Sequence, residues 1–406
     1  MELLSPAGNF EQLQFSITYG ADAVYLAGNK FGMRATAGNF SEDGLRDAVR
    51  YAHAHNVLVY LTCNIIPRDE DIALLPDFLS FAQELGVNAL IIGDLGIFRL
   101  AERVVPNIPR HVSTQAGVLN TETAKAWEDL GASRVILARE LSLDAISKIK
   151  ANLPHLELEA FVHGAMCVSF SGRCLLSQYL SAGKRDKKNN RDANQGNCAQ
   201  PCRWKYHLVE ETRPGEYMPI IEDGGVHILN ARDLCMIENV PALQTAGLSS
   251  LKIEGRAKSF YYAASITRAY REAIDSAKNK KDLSSIWLEE VRKVSHRHYS
   301  SGFYYHKDGG GEYLPDAHYI RDWDVIAVVE SCDETGNATI SGRNRFFVGD
   351  TLEVLMPSGD PFSFLVEKIV DAKGISISVA PHPMAILTLT LPCAVPPLSI
   401  LRRKNP

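Results

Sequence analysis

Short unbroken apolar runs alternate with longer amphipathic stretches over most of the chain, and a glycine repeatedly marks the passage from the second kind to the first. The unit recurs as GADAVYLAG from Gly20, GVNALIIGD from Gly86, GASRVILAR from Gly131 and GLSSLKIEG from Gly247. A glycine closing a helical pattern suits the left-handed C-cap, and the apolar run after it reads as a buried strand. The repeated unit is therefore helix, turn, strand.

Eight strands are predicted: Glu2 to Leu4, Ala23 to Leu26, Leu58 to Thr62, Ala89 to Ile92, His111 to Ser113, Arg134 to Leu137, Leu158 to Val162 and Ser250 to Ile253. Three intervening segments, starting at Ser41, Thr121 and Ser142, open on residues of the helix-capping type and carry apolar positions at helical spacing. Eight strands alternating with helices predict an α/β fold, a (β/α)8 TIM-like barrel, with an open doubly wound sheet as the structural alternative. Strand starts are 21, 35, 31, 22, 23 and 24 residues apart up to the seventh, and 92 residues then separate Leu158 from Ser250. A cysteine-bearing insertion after strand 7, about residues 164–230, occupies that gap on the face where barrel enzymes carry their chemistry. A helical stretch from Lys258 to Lys278 and a polar connector follow. From Val325 onward, short alternating runs punctuated by ETGN, PSGD and DAKG predict a small C-terminal all-β barrel domain. The expected domains are residues 1–322 and 323–406.

Composition changes this picture little. A chain of 406 residues with 46% hydrophobic and 22% charged residues has enough apolar surface for a large core, and it lacks the run of ~18 apolar residues a membrane helix needs. No export signal precedes MELLSPAGN, so a cytoplasmic location is expected. There the eight cysteines would stay reduced, and clustered ones serve as metal ligands more often than as disulfides. The net charge of −5 argues against nucleic-acid binding over the whole surface. A local patch remains: Gly183 to Tyr206 carries seven basic residues against two acidic ones.

The strand ends are more polar than a plain core requires, with Asn64, Gln115, Arg139, His163, Lys252 and Glu254 among them. Alternation places Glu159, Phe161 and His163 on one face of their strand, and Lys252 and Glu254 on one face of theirs. If those faces point inward, such groups pair with one another or with a ligand, because burying them unpaired is costly. His163, Glu254 and Lys252 are the candidate catalytic groups, His163 because imidazole titrates near neutrality. Arg34, Arg139, Arg173 and Arg256 are candidates for gripping an anion, since guanidinium matches carboxylate and phosphate.

Four cysteines follow strand 7 in the spacing C-x6-C-x23-C-x3-C: Cys167, Cys174, Cys198 and Cys202. Four thiolates suit a tetrahedral zinc or an iron-sulfur cluster, and the C-x6-C separation is looser than a zinc knuckle. Cys235 is available as an alternate ligand, while Cys63, Cys332 and Cys393 lie in strand-like runs and are expected in the core. H-E-x-x-H, G-x-S-x-G and G-x-x-x-x-G-K-[ST] motifs are absent, which removes support from zinc-protease, hydrolase-elbow and P-loop readings.

The run Glu159, Phe161, Gly164, Ala165, Met166, Cys167, Gly172, Cys174, Leu176, Ser177 resembles the signature of the U32 family, long labelled collagenase-like peptidases. ELLSPAGN, HVSTQAGVLN, RVILARELS, NQGNCAQPCRWKY and SLKIEGRAKSFYYAA extend the likeness along the chain. Within the family it is most similar to the branch that hydroxylates tRNA. That resemblance implies 5-hydroxyuridine formation at wobble uridine 34, with prephenate in place of dioxygen, and a 4Fe-4S cluster on Cys167, Cys174, Cys198 and Cys202. On this reading the arginines, with Asn64 and Gln115, hold a small dicarboxylate. Lys184, Arg185, Lys187, Lys188 and Arg191 meet RNA phosphates, and Trp204, beside Tyr179, stacks on an anticodon-loop base. A peptidase and a non-catalytic metal-bearing scaffold are the alternative readings.

Overall fold

The computed structural model describes residues 1–33, 38–167, 169–181, 191–204, 207–208, 212, 215, 218–219, 231–306 and 319–405. The chain divides into two compact units: Met1–Phe10, Asp22–Ala257 and Arg297–His318 form the first, and Glu11–Ala21, Lys258–His296 and Tyr319–Pro406 the second.

The first unit is built on eight parallel strands, β1 (Glu2–Pro6), β2 (Ala23–Leu26), β3 (Leu58–Cys63), β4 (Ala89–Ile92), β5 (Arg110–Val112), β6 (Arg134–Ile136), β7 (Glu157–Ala165) and β8 (Ser250–Ile253). Each pairs with its successor through β7, and β8 pairs with both β7 and β1. That closure makes a barrel and rules out the open sheet. Gly20, Gly86, Gly131 and Gly247 all have positive φ, as left-handed caps between helix and strand require. Ser41 and Ser142 cap the helices Glu42–Ala54 and Leu143–Asn152 by accepting from the N–H groups of Gly44 and Ala145. The helix Thr121–Asp129 is capped one residue earlier than its sequence suggested: the Asn120 side chain accepts from Thr123 N, leaving Thr121 inside the first turn.

A further strand, Asp233–Cys235, runs antiparallel to the end of β7 and pairs in parallel with Tyr299–Ser300. The buried Arg297–Asp233 ion pair at 2.7 Å holds this addition in place.

The barrel interior contains an ion network instead of a purely apolar core. Arg134 on β6 donates to Glu2 of β1 at 2.6 Å and to Glu159 of β7 at 3.1 Å, and its Nε donates to Glu157 at 2.8 Å. Lys252 of β8 reaches the other oxygen of Glu159 at 2.9 Å. The Tyr60 hydroxyl and the Ser250 hydroxyl both donate to Glu2, at 2.6 and 2.7 Å. Burial works against the Arg134 charge, but Glu159 and Glu2 outweigh it and hold the guanidinium firmly protonated. The neighbouring His111, edge-on to Tyr60 with ring centroids 4.8 Å apart, is held neutral: burial, then the positive charge of Arg134, push its pKa down to about 3.

Among the described residues of the second unit, three helices accompany an antiparallel all-β domain: Phe10–Thr18 from Glu11 onward, Phe260–Lys278 and Ser285–Glu290. Its eight-stranded sheet runs from Phe362–Leu365 to Ser376–Ile377, with Trp323–Cys332 at its centre. The Tyr19 hydroxyl donates to the carbonyls of Leu355 and Leu398 at 3.0 and 2.9 Å, and the buried Arg402 pairs with Glu290 and Glu353. Cys63 is fully buried in β3 and Cys332 packs against the β-domain core. Cys393 departs from expectation, lying exposed in an irregular segment beyond the strand Ile386–Thr390. Among the described residues no helix is long and apolar enough to cross a membrane.

Arg134→Met takes from half-buried Glu2 its only paired cation among the described residues and from buried Glu159 one of two, and is expected to cost about 3 kcal/mol in urea denaturation. Breaking the exposed Lys125–Asp129 pair should cost under about 0.5 kcal/mol. His111 gives a pH signature with a definite sign. Below its ordinary value of 6.5 the unfolded chain takes up a proton that the folded protein refuses until about pH 3, so stability falls as the pH drops through that window. His111→Gln should remove about 1.4 kcal/mol per pH unit from that slope, read from urea midpoints across the window.

Candidate functional site

A cavity of about 180 Å³ opens at the C-terminal end of the barrel strands, entirely within the first unit. Its floor is Lys252 with Tyr25 and Phe161; its wall includes Thr62, Asn64, Ser113, Gln115, Arg139, Glu140, Glu254 and Arg256; Cys167, Cys174, Cys198 and Cys202 line its mouth. The sequence thus brings six of its proposed groups together here through the strand ends: Asn64 after β3, Gln115 after β5, Arg139 after β6, and Lys252, Glu254 and Arg256 on and after β8.

Each wall residue is oriented. Asn64 accepts from Met33 N at 3.1 Å and donates to the Ser113 hydroxyl at 3.4 Å. Arg139 stacks 4.0 Å over Phe161, donates to the Ala165 carbonyl at 3.1 Å and pairs with Glu254 at 3.3 Å. Arg256, buried, donates to the Thr62 hydroxyl at 3.3 Å. Gly172 has a φ of +75°, the left-handed region that favours glycine, and a Cβ there would lie 2.8 Å from the Gln115 amide nitrogen and push that side chain aside. Four basic lining side chains (Arg139, Arg203, Lys252 and Arg256) face two acidic ones (Glu140 and Glu254), a balance suited to an anionic ligand.

His163 is not among the lining residues. Lys252 pairs with Phe161 but Ile253 pairs with His163, so β7 carries one extra residue, Val162, at that point. This bulge breaks the two-residue alternation on which an inward His163 depended. The imidazole instead lies 3.3 Å from the Tyr299 hydroxyl. Arg173 is exposed and uses its Nε to donate to the Gln115 carbonyl at 3.0 Å, which makes it a brace for the loop and not a lining group. Arg191 turns onto its own loop, donating to the carbonyls of Asn197 and Cys198 at 3.2 and 3.1 Å. Trp204 and Tyr179 are exposed, by 46% and 80%. Arg34, Lys184, Arg185, Lys187 and Lys188 lie outside the described residues.

Two chain segments bring the cysteines to the mouth, and they are fastened to each other. The buried Ser177 hydroxyl donates to the Arg191 carbonyl at 2.6 Å and accepts from Ala199 N at 2.8 Å. The Asn194 amide brackets Cys174, accepting from its N–H at 3.3 Å and donating to its carbonyl at 3.2 Å. Glu140 accepts from Ser171 N at 2.6 Å and holds that residue in a left-handed conformation, φ 47°. Asn194 and Glu140 were not singled out from the sequence, and Ser177 entered only as part of the family signature, with no role assigned. Asn194 lies in the turn-forming run DANQGN, and Glu140 follows Arg139 at a strand end, which are the signals that could have found them.

The four thiols line one cavity and have the chemistry of a sulfur-ligated centre. Burial raises the Cys202 pKa, opposed by Arg203 and reinforced by the other three thiols, Cys167, Cys198 and Cys174. Gln200, itself left-handed at φ 56°, donates its N–H to Cys198 Sγ at 3.3 Å, a contact of the kind that tunes thiolate ligands. Among the described residues no three His, Cys, Asp or Glu side chains are grouped around a single ion-sized point. Cys235 is placed elsewhere, opposite His163 in the added strand, and does not line the cavity.

Comparisons with known proteins agree with this architecture in extent. The family model Peptidase family U32 matches residues 8–312, and Peptidase family U32 C-terminal domain matches residues 321–402. The tRNA hydroxylation protein P of Escherichia coli is 35% identical, covering 94% of this chain and 91% of its own. The tRNA hydroxylation protein P1 of Bacillus subtilis is 34% identical over 99% of this chain and 94% of its own. The 23S rRNA 5-hydroxycytidine C2501 synthase of Escherichia coli is 36% identical over 68% of this chain and 39% of its own.

Ser177→Ala should cost about 1–3 kcal/mol of local stability by orphaning Ala199 N and the Arg191 carbonyl. The expected readout is faster iodoacetamide alkylation of Cys174 and Cys198 in metal-free protein, with the barrel's urea midpoint little changed.

Proposed function

Because this chain belongs to peptidase family U32 and has relatives named for hydroxylating tRNA and rRNA, we propose that it is an RNA-modifying hydroxylase acting in the cytoplasm on the wobble uridine 34 of tRNA. The product is 5-hydroxyuridine. The observation that carries this reading is the cavity itself, which four cysteines line together with more basic than acidic side chains.

The base exchanges C5–H for C5–OH, a two-electron oxidation, and the donor exchanges C–OH for C–H and is reduced by the same two electrons. Prephenate, a small dicarboxylate carrying a hydroxyl, is the proposed donor. Arg256 and Arg139, at the cavity wall, are the groups to receive its carboxylates, with Asn64 and Gln115 as neutral hydrogen-bonding partners. Glu254, oriented by Arg139, is positioned to hold a proton beside the reacting atoms. Cys167, Cys174, Cys198 and Cys202 would hold a 4Fe-4S cluster, for which four thiolates lining one cavity are a ligand set of the right chemistry. Bound there, a cluster supplies electron transfer or Lewis-acid polarisation at the mouth. Trp204 and Tyr179, exposed on the two cysteine segments, suit stacking on an unpaired anticodon-loop base at about 1–3 kcal/mol per base.

A peptidase finds less support. Among the described lining residues there is no histidine to activate a serine or cysteine nucleophile.

Two measurements test the proposal together. Anaerobically purified protein should contain iron and acid-labile sulfide, about four of each per chain, and Cys174→Ser should lose both. Nucleoside mass spectrometry of tRNA from cells lacking the gene should show loss of 5-hydroxyuridine, restored by the wild-type gene but not by Cys174→Ser. Zinc without sulfide, with 5-hydroxyuridine unchanged, would overturn the reading.

A further inference from the structure

Lys252 is the one lysine lining the cavity among the described residues, and it is almost wholly buried at the cavity floor. Its ammonium lies 4.5 Å over the Tyr25 ring and 5.4 Å from the Phe161 ring centroid, two cation–π contacts that fix the position of the amine in the cavity. Its carboxylate partner, Glu159, is fully buried and shared: one oxygen meets Lys252 at 2.9 Å and the other meets Arg134 at 3.1 Å. Glu159 is thereby fixed in place as a proton acceptor directly against the amine. Guanidinium groups that recognise carboxylates line the same cavity on Arg256 and Arg139.

We propose that Lys252 is a covalent anchor for an α-keto carboxylate, its Nζ condensing with the ketone to form an imine while the arginines hold the carboxylate. The inference rests on the keto-acid donor proposed above, since prephenate carries a pyruvyl ketone, and it assigns to this lysine a role beyond charge.

The step balances without any further reagent. The ammonium passes a proton to Glu159, the freed amine lone pair attacks the carbonyl carbon, the carbonyl oxygen is protonated, and the carbinolamine expels water as the C=N bond forms. No electron is gained or lost; the protonated imine then serves as an electron sink for the donor carbon skeleton. Burial lowers the Lys252 pKa, with Glu159 acting in the opposite direction, so the site favours release of the proton more than an exposed lysine would. The charged groups facing the amine are Glu159, Glu254 and Arg134.

A purely structural ion pair would look similar in geometry but would not become covalently modified. The test is borohydride reduction of the purified holoprotein in the presence of pyruvate, and separately of prephenate, followed by intact-mass and peptide analysis. The expected result with pyruvate is a mass gain equal to pyruvic acid less one oxygen atom, mapped to the peptide containing Lys252 and absent without borohydride. Lys252→Arg, which keeps the charge and the contact with Glu159, should abolish both adduct and hydroxylation. An adduct on another lysine, or no adduct from either acid, overturns the inference; so does a Lys252→Arg variant that still hydroxylates tRNA. Those outcomes in a wild-type protein that makes 5-hydroxyuridine leave the hydroxylase reading standing. A mapped adduct without hydroxylation supports the covalent anchor and removes the RNA reading instead.

Discussion

Everything in the first unit depends on the buried ion network that joins Arg134, Glu2, Glu159 and Lys252 across the inside of the barrel. Taking such charges out of water costs several kcal/mol each, and only mutual pairing in good geometry offsets it. The consequence is specificity more than stability. The partners come from β1, β6, β7 and β8, so the network is complete only when the sheet has closed with β8 between β7 and β1. Sliding β8 by one residue would turn Lys252 to the outer face and leave Glu159 with a single cation. The same set of contacts that selects one register therefore also lays the floor of the cavity.

Above that floor, order is passed upward by hydrogen bonds whose partners are far apart in sequence. Arg139 stacks on Phe161 and ties Glu254 to the end of β7; Glu140 holds Ser171; Asn194 grips Cys174; and Ser177 fastens the Arg191 to Ala199 stretch. The thiols are consequently positioned by amides, hydroxyls and backbone groups, with Arg191 and Glu140 engaged by the cysteine segments themselves. This arrangement leaves the guanidinium and ammonium charges concentrated deeper in the cavity, where a small anion would be surrounded on several sides.

The barrel was legible because its signals are local. Four glycines predicted as left-handed caps have positive φ, and each predicted strand overlaps an observed one, since both follow from backbone sterics and apolar periodicity. What escaped detection depends on contacts between distant segments. Arg134 reads as the first residue of an apolar run, and only the approach of Glu2, more than a hundred residues away in the chain, makes it the centre of a network. His163 follows the alternation of β7 on paper, yet the extra residue Val162 is needed for pairing with β8 and moves it out of the cavity. Arg191 belongs by composition to a basic patch, but two carbonyls of its own loop claim its guanidinium. Charge counting sees the side chain and misses the acceptors that capture it.

The closing strand also fixes an order of events during folding. β8 begins at Ser250, after the whole cysteine-bearing stretch, whereas its partner β1 begins at Glu2. A growing chain emerging from a ribosome therefore has β1 paired on its β2 side alone, and Glu2 without the Ser250 hydroxyl, until about three fifths of the protein has been made. Looping out the stretch between β7 and β8 is entropically cheap, each doubling of loop length costing only about 0.6 kcal/mol. The barrel can thus close around a cysteine segment that has not yet settled, so the scaffold can be assembled before the thiols take up any ligand.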